Sequence, residues 1–147
     1  MRKLLYLLLV LFCLLGCNNK DQSKIDQQTI AQYIAANHLN ATAEPNGLYY
    51  VYTLTGTGSN PTAASQVTVY YKGYLTDGTV FDQTLNNPFT TYLSQVIAGW
   101  QQGIPLMKKG GKATLLIPSA LGYGAQANGS IPANSVLIFD ITLVNFQ

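Results

Sequence analysis

The sequence has few of the side chains that usually carry acid–base, nucleophilic or metal chemistry. Its 147 residues include two cysteines, one histidine and only 10% charged residues. The histidine, His38, has no cysteine or acidic cluster beside it, which indicates a surface residue rather than a metal ligand. From residue 47 onward there is no histidine or cysteine, and the aspartates Asp77, Asp82 and Asp140 show no paired spacing. An enzyme built on this segment would need chemistry that uses no acid, base or metal, and we expect no cofactor.

The balance of charge argues against nucleic acid as a partner. Without Arg2 and Lys3, six of the eight basic residues remain, against six acidic residues. The only basic cluster is Lys108, Lys109 and Lys112, in a glycine-rich turn, which is typical of a solvated loop. Binding to phosphates requires a basic stripe or patch, and the sequence has none.

Both cysteines lie in an apolar amino-terminal segment. Residues 4–15 follow two basic residues and form an apolar run too short to span a bilayer, which needs about 18–20 residues. The run ends in Leu-Leu-Gly-Cys at 14–17, which resembles the lipobox of bacterial lipoproteins. The resemblance implies a signal peptide over residues 1–16 and a lipid on the Cys17 sulfur. A plain signal peptide or a short anchor is the alternative.

The lipobox resemblance also predicts a location. It implies a bacterial cell-envelope protein held to the membrane through its lipid alone. Asn18 and Asn19 lack the acidic inner-membrane retention signal, which favours the outer membrane. A lipidated Cys17 would leave no thiol for a disulfide, so the fold has to be stabilised by packing.

Residues 17–46 form a polar lead-in. Their weak helical periodicity predicts a short helix over about residues 24–37, with Ser23 as its N-cap and Asn37 at its end. We expect this segment to act as a linker between the lipid and the domain that follows.

The composition changes at residue 47. β-Branched and aromatic stretches alternate with Gly, Asn, Asp or Pro, which predicts strands, and Asp77-Gly78 predicts a tight turn. One helix-compatible segment, at about 97–103, is limited by Pro105. Residues 47–147 are therefore expected to form an α+β domain, an antiparallel sheet with one short helix against it.

An ordered set of motifs runs through this domain. They are Val-x-Val-x-Tyr-x-Gly at 67–73, Asp-Gly-x-x-Phe-Asp at 77–82, Val-Ile-x-Gly-Trp at 96–100, Ile-Pro-x-x-x-x-Tyr-Gly at 117–124, Ile-Pro at 131–132 and Leu-x-Phe at 137–139. In this order and spacing, residues 47–147 resemble the FKBP family of peptidyl-prolyl isomerases in its bacterial cell-envelope form. The resemblance implies an FKBP-like antiparallel sheet wrapped around the short helix. It also implies prolyl cis-trans isomerisation in exported proteins, macrolide inhibitors as further ligands, and a monomer.

The resemblance assigns a pocket residue by residue. The catalytic positions it implies are Tyr71, Phe81, Asp82, Trp100, Tyr123 and Phe139, and the substrate-binding positions are Phe89, Val96, Ile97 and Ile131. By the same resemblance, Trp100 forms the floor and Tyr71 donates a hydrogen bond to Asp82. The Ile97 N–H and Tyr123 would bind the substrate backbone.

Some positions depart from the family pattern. Thr91 stands where a second aromatic residue is common, so the wall there is either more open or completed by the neighbouring Tyr92. The segment 124–130 has no large apolar side chain, and Ala133 replaces a second proline. Two alternatives to an enzyme remain at this stage: a module that docks a proline-containing partner in the same pocket, or a structural lipoprotein whose aromatic residues are only core.

Overall fold

The computed structural model describes residues 19–147. The expected signal peptide over 1–16 and the expected lipidation site Cys17 lie outside these residues. Seven strands form one antiparallel sheet: β1 Thr42–Ala43, β2 Tyr49–Leu54, β3 Gln66–Tyr74, β4 Val80–Gln83, β5 Phe89–Tyr92, β6 Lys112–Ile117 and β7 Leu137–Phe146. Their order is β1-β2-β6-β7-β3-β4, and β5 also pairs with β3. The predicted α+β fold with an antiparallel sheet is confirmed.

Two α-helices accompany the sheet, α1 at Asn19–Ala36 and α2 at Ala98–Gly103. Short 3₁₀ helices lie at Leu93–Gln95, Ile104–Leu106 and Ser119–Leu121. Within residues 19–147, no helix is both long enough and apolar enough to cross a membrane.

Helix α2 packs on one face of the sheet and forms the main core with it. Two glycines allow this close approach, because a Cβ on Gly99 would lie 2.5 Å from Ile117 and a Cβ on Gly103 would lie 2.5 Å from Leu115. Leu115, Ile117 and the indole of Trp100 belong to the same buried cluster. Gly99 and Gly103 therefore let the β6 side chains approach α2 closely.

Helix α1 packs on the opposite face of the sheet. Ile30 is fully buried against Leu116 of β6 and Val136, next to Tyr49 and Val51 of β2. Alternation along β6 explains the separation, since Leu116 points away from its neighbours Leu115 and Ile117. The expected linker is thus a docked second layer, and the sheet lies between two helices rather than against one.

The ends of α1 differ from the expected ones. The helix already includes residue 19, so Ser23 lies inside it and is not its N-cap. Its carboxyl end is close to the expected stop: the Leu39 N–H donates to the Ile34 carbonyl and the His38 N–H to the Ala35 carbonyl. His38, exposed at φ 52°, takes the left-handed position of this Schellman motif.

The expected Asp77-Gly78 turn connects β3 to β4. Gly78 has φ 87°, and the Leu75 N–H donates to the Thr79 carbonyl. This tight hairpin brings Phe81 and Asp82 beside β3, where Asp82 pairs with Gly73.

Candidate functional site

An open cavity of about 620 Å³ lies between α2 and the sheet. This volume is within the usual range of small-ligand sites, about 300–1,000 Å³. Its lining residues are Tyr71, Phe81, Asp82, Phe89, Gln95, Val96, Ile97, Trp100, Tyr123, Asn128, Gly129, Ser130, Ile131 and Phe139. All ten pocket residues expected from the sequence are among them.

The floor of the cavity is a set of rings packed edge to face. Trp100 is 4% exposed, and its ring centroid lies 5.1 Å from that of Tyr71 and 5.3 Å from that of Phe139, each at an interplanar angle of 82°. Phe81 meets Phe139 in the same way, at 5.4 Å. Such contacts add about 0.5–1.5 kcal/mol each beyond area burial and hold the rings at fixed angles.

Gly73 makes the meeting of Phe81 and Phe139 possible. A Cβ at this buried position would lie 2.5 Å from the ring of Phe81 and 2.7 Å from the ring of Phe139. Gly73 pairs with Phe139 on one side and with Asp82 on the other. The glycine of the Val-x-Val-x-Tyr-x-Gly motif is therefore a space requirement of the cavity.

One acidic side chain lies at the cavity edge. The Tyr71 hydroxyl donates a hydrogen bond of 2.6 Å to Oδ2 of Asp82, as the resemblance implied. Burial raises the pKa of Tyr71 well above its usual value of 10, and the hydrogen bond to Asp82 and its charge act in the same direction. Asp82 itself is exposed, so this edge of the cavity is open to water. The pair presents a protonated phenol beside a carboxylate.

Two groups at the cavity edge are free to bind a ligand. The Ile97 carbonyl accepts bonds from the Trp100 and Gln101 N–H groups, whereas the Ile97 N–H has no partner within residues 19–147. Gln101 also donates through Nε2 to the Val96 carbonyl at 2.8 Å, which holds the turn before α2. Tyr123 is 37% exposed, and its hydroxyl makes no hydrogen bond to the described part of the chain. Both expected donors are thus unused.

Neither Thr91 nor its neighbour Tyr92 lines the cavity. β5 pairs with β3 in regular register, so Phe89 and Thr91 point to one face and Tyr92 to the other. Thr91 is buried, whereas Tyr92 is 48% exposed and does not line the cavity. Tyr92 therefore does not replace the missing aromatic residue in the cavity lining.

Residues 57–144 match the family model described as FKBP-type peptidyl-prolyl cis-trans isomerase, which is more than half of the chain. The chain belongs to this family.

FKBP-type relatives match over most of this chain but only part of their own length. The isomerase FkpA of Aeromonas hydrophila is 40% identical over 140 residues, 88% of this chain and 52% of the relative. A probable FkpA of Neisseria meningitidis serogroup B is 50% identical over 102 residues, 67% of this chain and 38% of the relative. The chain spans about half the length, or less, of these curated relatives.

Solved structures of the FKBP type share the fold. FkpA from Escherichia coli superposes with a TM-score of 0.76 at 34% identity, over 88% of this chain and 62% of that one. A peptidyl-prolyl cis-trans isomerase from Pseudomonas syringae pv. tomato gives 0.77 at 31% identity, over 88% of this chain and 96% of that one. The expected FKBP-like architecture is therefore confirmed.

Four lining residues of this FKBP-type cavity were not anticipated from the sequence. Gln95 lies just before α2, and Asn128, Gly129 and Ser130 form one wall. Asn128 and Ile131 exchange two backbone hydrogen bonds of 2.9 Å around Gly129, at φ 56°. The Asn-Gly dipeptide signals such a tight turn, but not that the turn faces the cavity. Within residues 19–147, no three side chains are grouped as metal ligands.

Proposed function

We propose that this protein is a peptidyl-prolyl cis-trans isomerase that binds X-Pro segments in the aromatic cavity. The observation that carries the proposal is an open cavity lined by fixed rings, with two unused hydrogen-bond donors and one carboxylate at its edge. An aromatic set that served only as core would fill this space. Membership of the family supports the same reaction.

The reaction suits a site without a nucleophile or metal. Rotation about an X–Pro bond is slow because resonance gives the C–N bond partial double-bond character. The planar amide separates charge between oxygen and nitrogen, and the twisted transition state loses that separation. A site of low polarity therefore destabilises the planar amide relative to the twisted transition state. This lowers the barrier to rotation with no covalent step. Each 1.4 kcal/mol of this preference accelerates rotation about tenfold.

The residues divide this work by position. Tyr71, Phe81 and Phe139 would surround the proline ring above the floor formed by Trp100, and the Ile97 N–H and Tyr123 hydroxyl would orient the flanking backbone. Asp82 would keep the Tyr71 hydroxyl pointed along the cavity edge. Phe89, Val96 and Ile131 complete the contact surface.

The isomerase assay distinguishes this function from a binding module. We expect the protein to accelerate proline-limited refolding, and Asp82→Ala to lose most of that acceleration. Asp21→Ala is the matched control, because Asp21 is an exposed aspartate on α1, outside the cavity. A folded parent without activity would contradict the proposal. Trp100 fluorescence that still responded to a proline peptide would then support the docking module.

For the substrates and location we propose exported polypeptides in a bacterial cell envelope, with the protein held by a lipid on Cys17. Support comes from the apolar run that ends in Leu-Leu-Gly-Cys at 14–17. Cys17→Ala should move the protein out of the membrane fraction, and the parent's amino-terminal peptide should carry the lipid mass. An unchanged distribution would exclude the anchor. Macrolide binding and a monomeric state remain predictions.

A further inference from the structure

A buried carboxyl group on α1 has no part in the cavity described above. Asp26 is 2% exposed, and its Oδ1 accepts a hydrogen bond of 2.8 Å from Gln22 Nε2 one turn earlier. Its Oδ2 accepts two bonds from Ser119, 2.8 Å from the N–H and 2.6 Å from Oγ. Three donors offset the cost of burying this group, so the contact is a specific one.

Ser119 connects α1 to the segment that carries Tyr123. It begins the 3₁₀ helix Ser119–Leu121, and its carbonyl accepts hydrogen bonds from Gly122 N–H at 3.0 Å and Gly124 N–H at 2.8 Å. Those two glycines flank Tyr123 in the chain. Ser119 thus donates two hydrogen bonds to Asp26, and its carbonyl accepts one from each chain neighbour of Tyr123.

Tyr123 has little else to fix it. Its side chain is 37% exposed, and its hydroxyl has no hydrogen-bond partner within residues 19–147. Besides Ser119, the local backbone is bonded by the Asn134 N–H, which donates to the Gly124 carbonyl at 2.7 Å, and by the Gln126 N–H, which donates to the Tyr123 carbonyl at a longer 3.3 Å. The position of the hydroxyl therefore depends on where Ser119 holds the backbone.

We propose that Asp26 is a positioning residue for Tyr123, which makes α1 part of the substrate-binding unit. The inference rests on the proposed function, in which the Tyr123 hydroxyl binds the substrate backbone. Loss of Asp26 would leave the N–H and hydroxyl of Ser119 without acceptors in a buried place, and the turn would move to satisfy them. The Tyr123 hydroxyl, four residues further along the chain, would move with the turn.

The test combines kinetics with a double variant. We expect Asp26→Ala to lower kcat/KM for an X-Pro peptide about tenfold, since small displacements of a binding group have effects of this order. In a Tyr123→Phe background, which has no hydroxyl to misplace, Asp26→Ala should cost less than twofold. Equal fold-losses in both backgrounds would show a general structural effect and overturn the proposal.

Two further variants separate positioning from simple loss of stability. Asp26→Asn retains an acceptor for Ser119 and should keep kcat/KM within about twofold of the parent. Gln22→Ala removes the other hydrogen bond of Asp26 without touching Ser119, and should also leave kcat/KM unchanged. A tenfold loss in Gln22→Ala would show that any disturbance of α1 lowers activity, and would overturn the proposal.

Hydrogen exchange tests the connection without an activity measurement. In folded Asp26→Ala, the Gly122 and Gly124 amides should exchange faster than in the parent, whereas amides of α2 should not change. Unchanged exchange at both glycines would overturn the inference even in an active enzyme. A parent without isomerase activity but with the faster exchange would overturn the proposed function and leave the connection standing.

Discussion

At the scale of single residues, Tyr71 and Asp82 are the most informative pair. Tyr71 contacts the rings of Trp100, Phe89 and Phe139, and its hydroxyl is bonded to the one carboxylate of the cavity. The phenol thus links the apolar floor to the polar edge. Its role can be separated into ring and hydroxyl by a substitution that keeps the ring.

Tyr71→Phe should lower kcat/KM by about three- to tenfold, because one hydrogen bond to a charged but exposed partner is lost. Asp82→Ala should have a similar effect through the same bond. In the double variant the loss should be smaller than the product of the two single losses, as measured by the peptide isomerase assay. Fully multiplicative losses would show that the two side chains act separately.

The pKa of Tyr71 predicts a pH effect. In the unfolded chain Tyr71 ionises near pH 10, whereas burial and Asp82 keep it protonated to higher pH in the folded protein. The folded state then binds more protons than the unfolded one, so stability falls as pH rises above 10. Urea unfolding from pH 9 to 11 should show that the free energy of unfolding falls more steeply with pH in the parent than in Tyr71→Phe. Parallel curves would contradict the raised pKa.

Sequence motifs predicted the cavity's rings but not its whole lining. The ten expected residues carry recognisable side chains in motifs of fixed spacing, and the structure places all of them around one cavity. Gln95 lines the cavity from the segment before α2, and residues 128–130 line it from the tight turn at Gly129. Residue type reveals little about such positions, since Asn, Gly and Ser are common in any exposed turn.

At the scale of elements, the contact of α2 with β6 depends on glycine. Gly99→Ala should destabilise the protein by about 1–2 kcal/mol, because overpacking against Ile117 outweighs the better helix propensity of alanine. In an Ile117→Ala background the added methyl has room, so the same change should be neutral or stabilising. Urea unfolding measures both effects. If Gly99→Ala lowered the free energy of unfolding equally in both backgrounds, the effect would come from the backbone at Gly99 and not from contact with Ile117.

Docking of α1 predicts a second stability effect. Ile30→Ala should lower the free energy of unfolding by about 2–4 kcal/mol, because this side chain is fully buried against Leu116 and Val136. Ile25→Ala is the matched control on the same helix, 53% exposed, and should change stability by less than about 0.5 kcal/mol. If both substitutions changed the free energy of unfolding by equally small amounts, α1 would not be docked in solution.

The existence of α1 was predictable, whereas its docking was not. Its periodicity is weak because a polar residue, Asp26, occupies one of its two buried positions and Ile30 the other. An aspartate in a polar segment is typical of a surface. Its partner Ser119 lies in a distant turn, and nothing local indicates that the two meet.

At the scale of the whole molecule, the sheet connects the two helices. Burial also raises the pKa of Tyr74 on β3, and the nearby Tyr33 of α1 and Asp140 act in the same direction, so α1 lies close to β3 as well as to β2 and β6. The cluster under α1 is small compared with the main core under α2, and both clusters are built on side chains of the same strand, β6. We therefore expect one cooperative unit rather than a domain with a separate lead-in.

Two probes can test this cooperativity. Helix α1 supplies 18 residues and α2 only six, so the circular dichroism of the described helices reports mainly α1. The only tryptophan reports the cavity on the other face. The two urea transitions should coincide in the parent. A helix signal that decreases first would show that α1 detaches alone.

The strand order has a consequence for how the chain is made. Strand β7 pairs with both β6 and β3, and it carries Phe139, so the cavity is complete only when the final segment of the sheet is in place. Until then the earlier strand β3 lacks its central neighbour. A chain emerging from the amino end would pass through this state for most of its synthesis. It could not use its own cavity on its own prolines during that time, so any such help would have to come from another molecule.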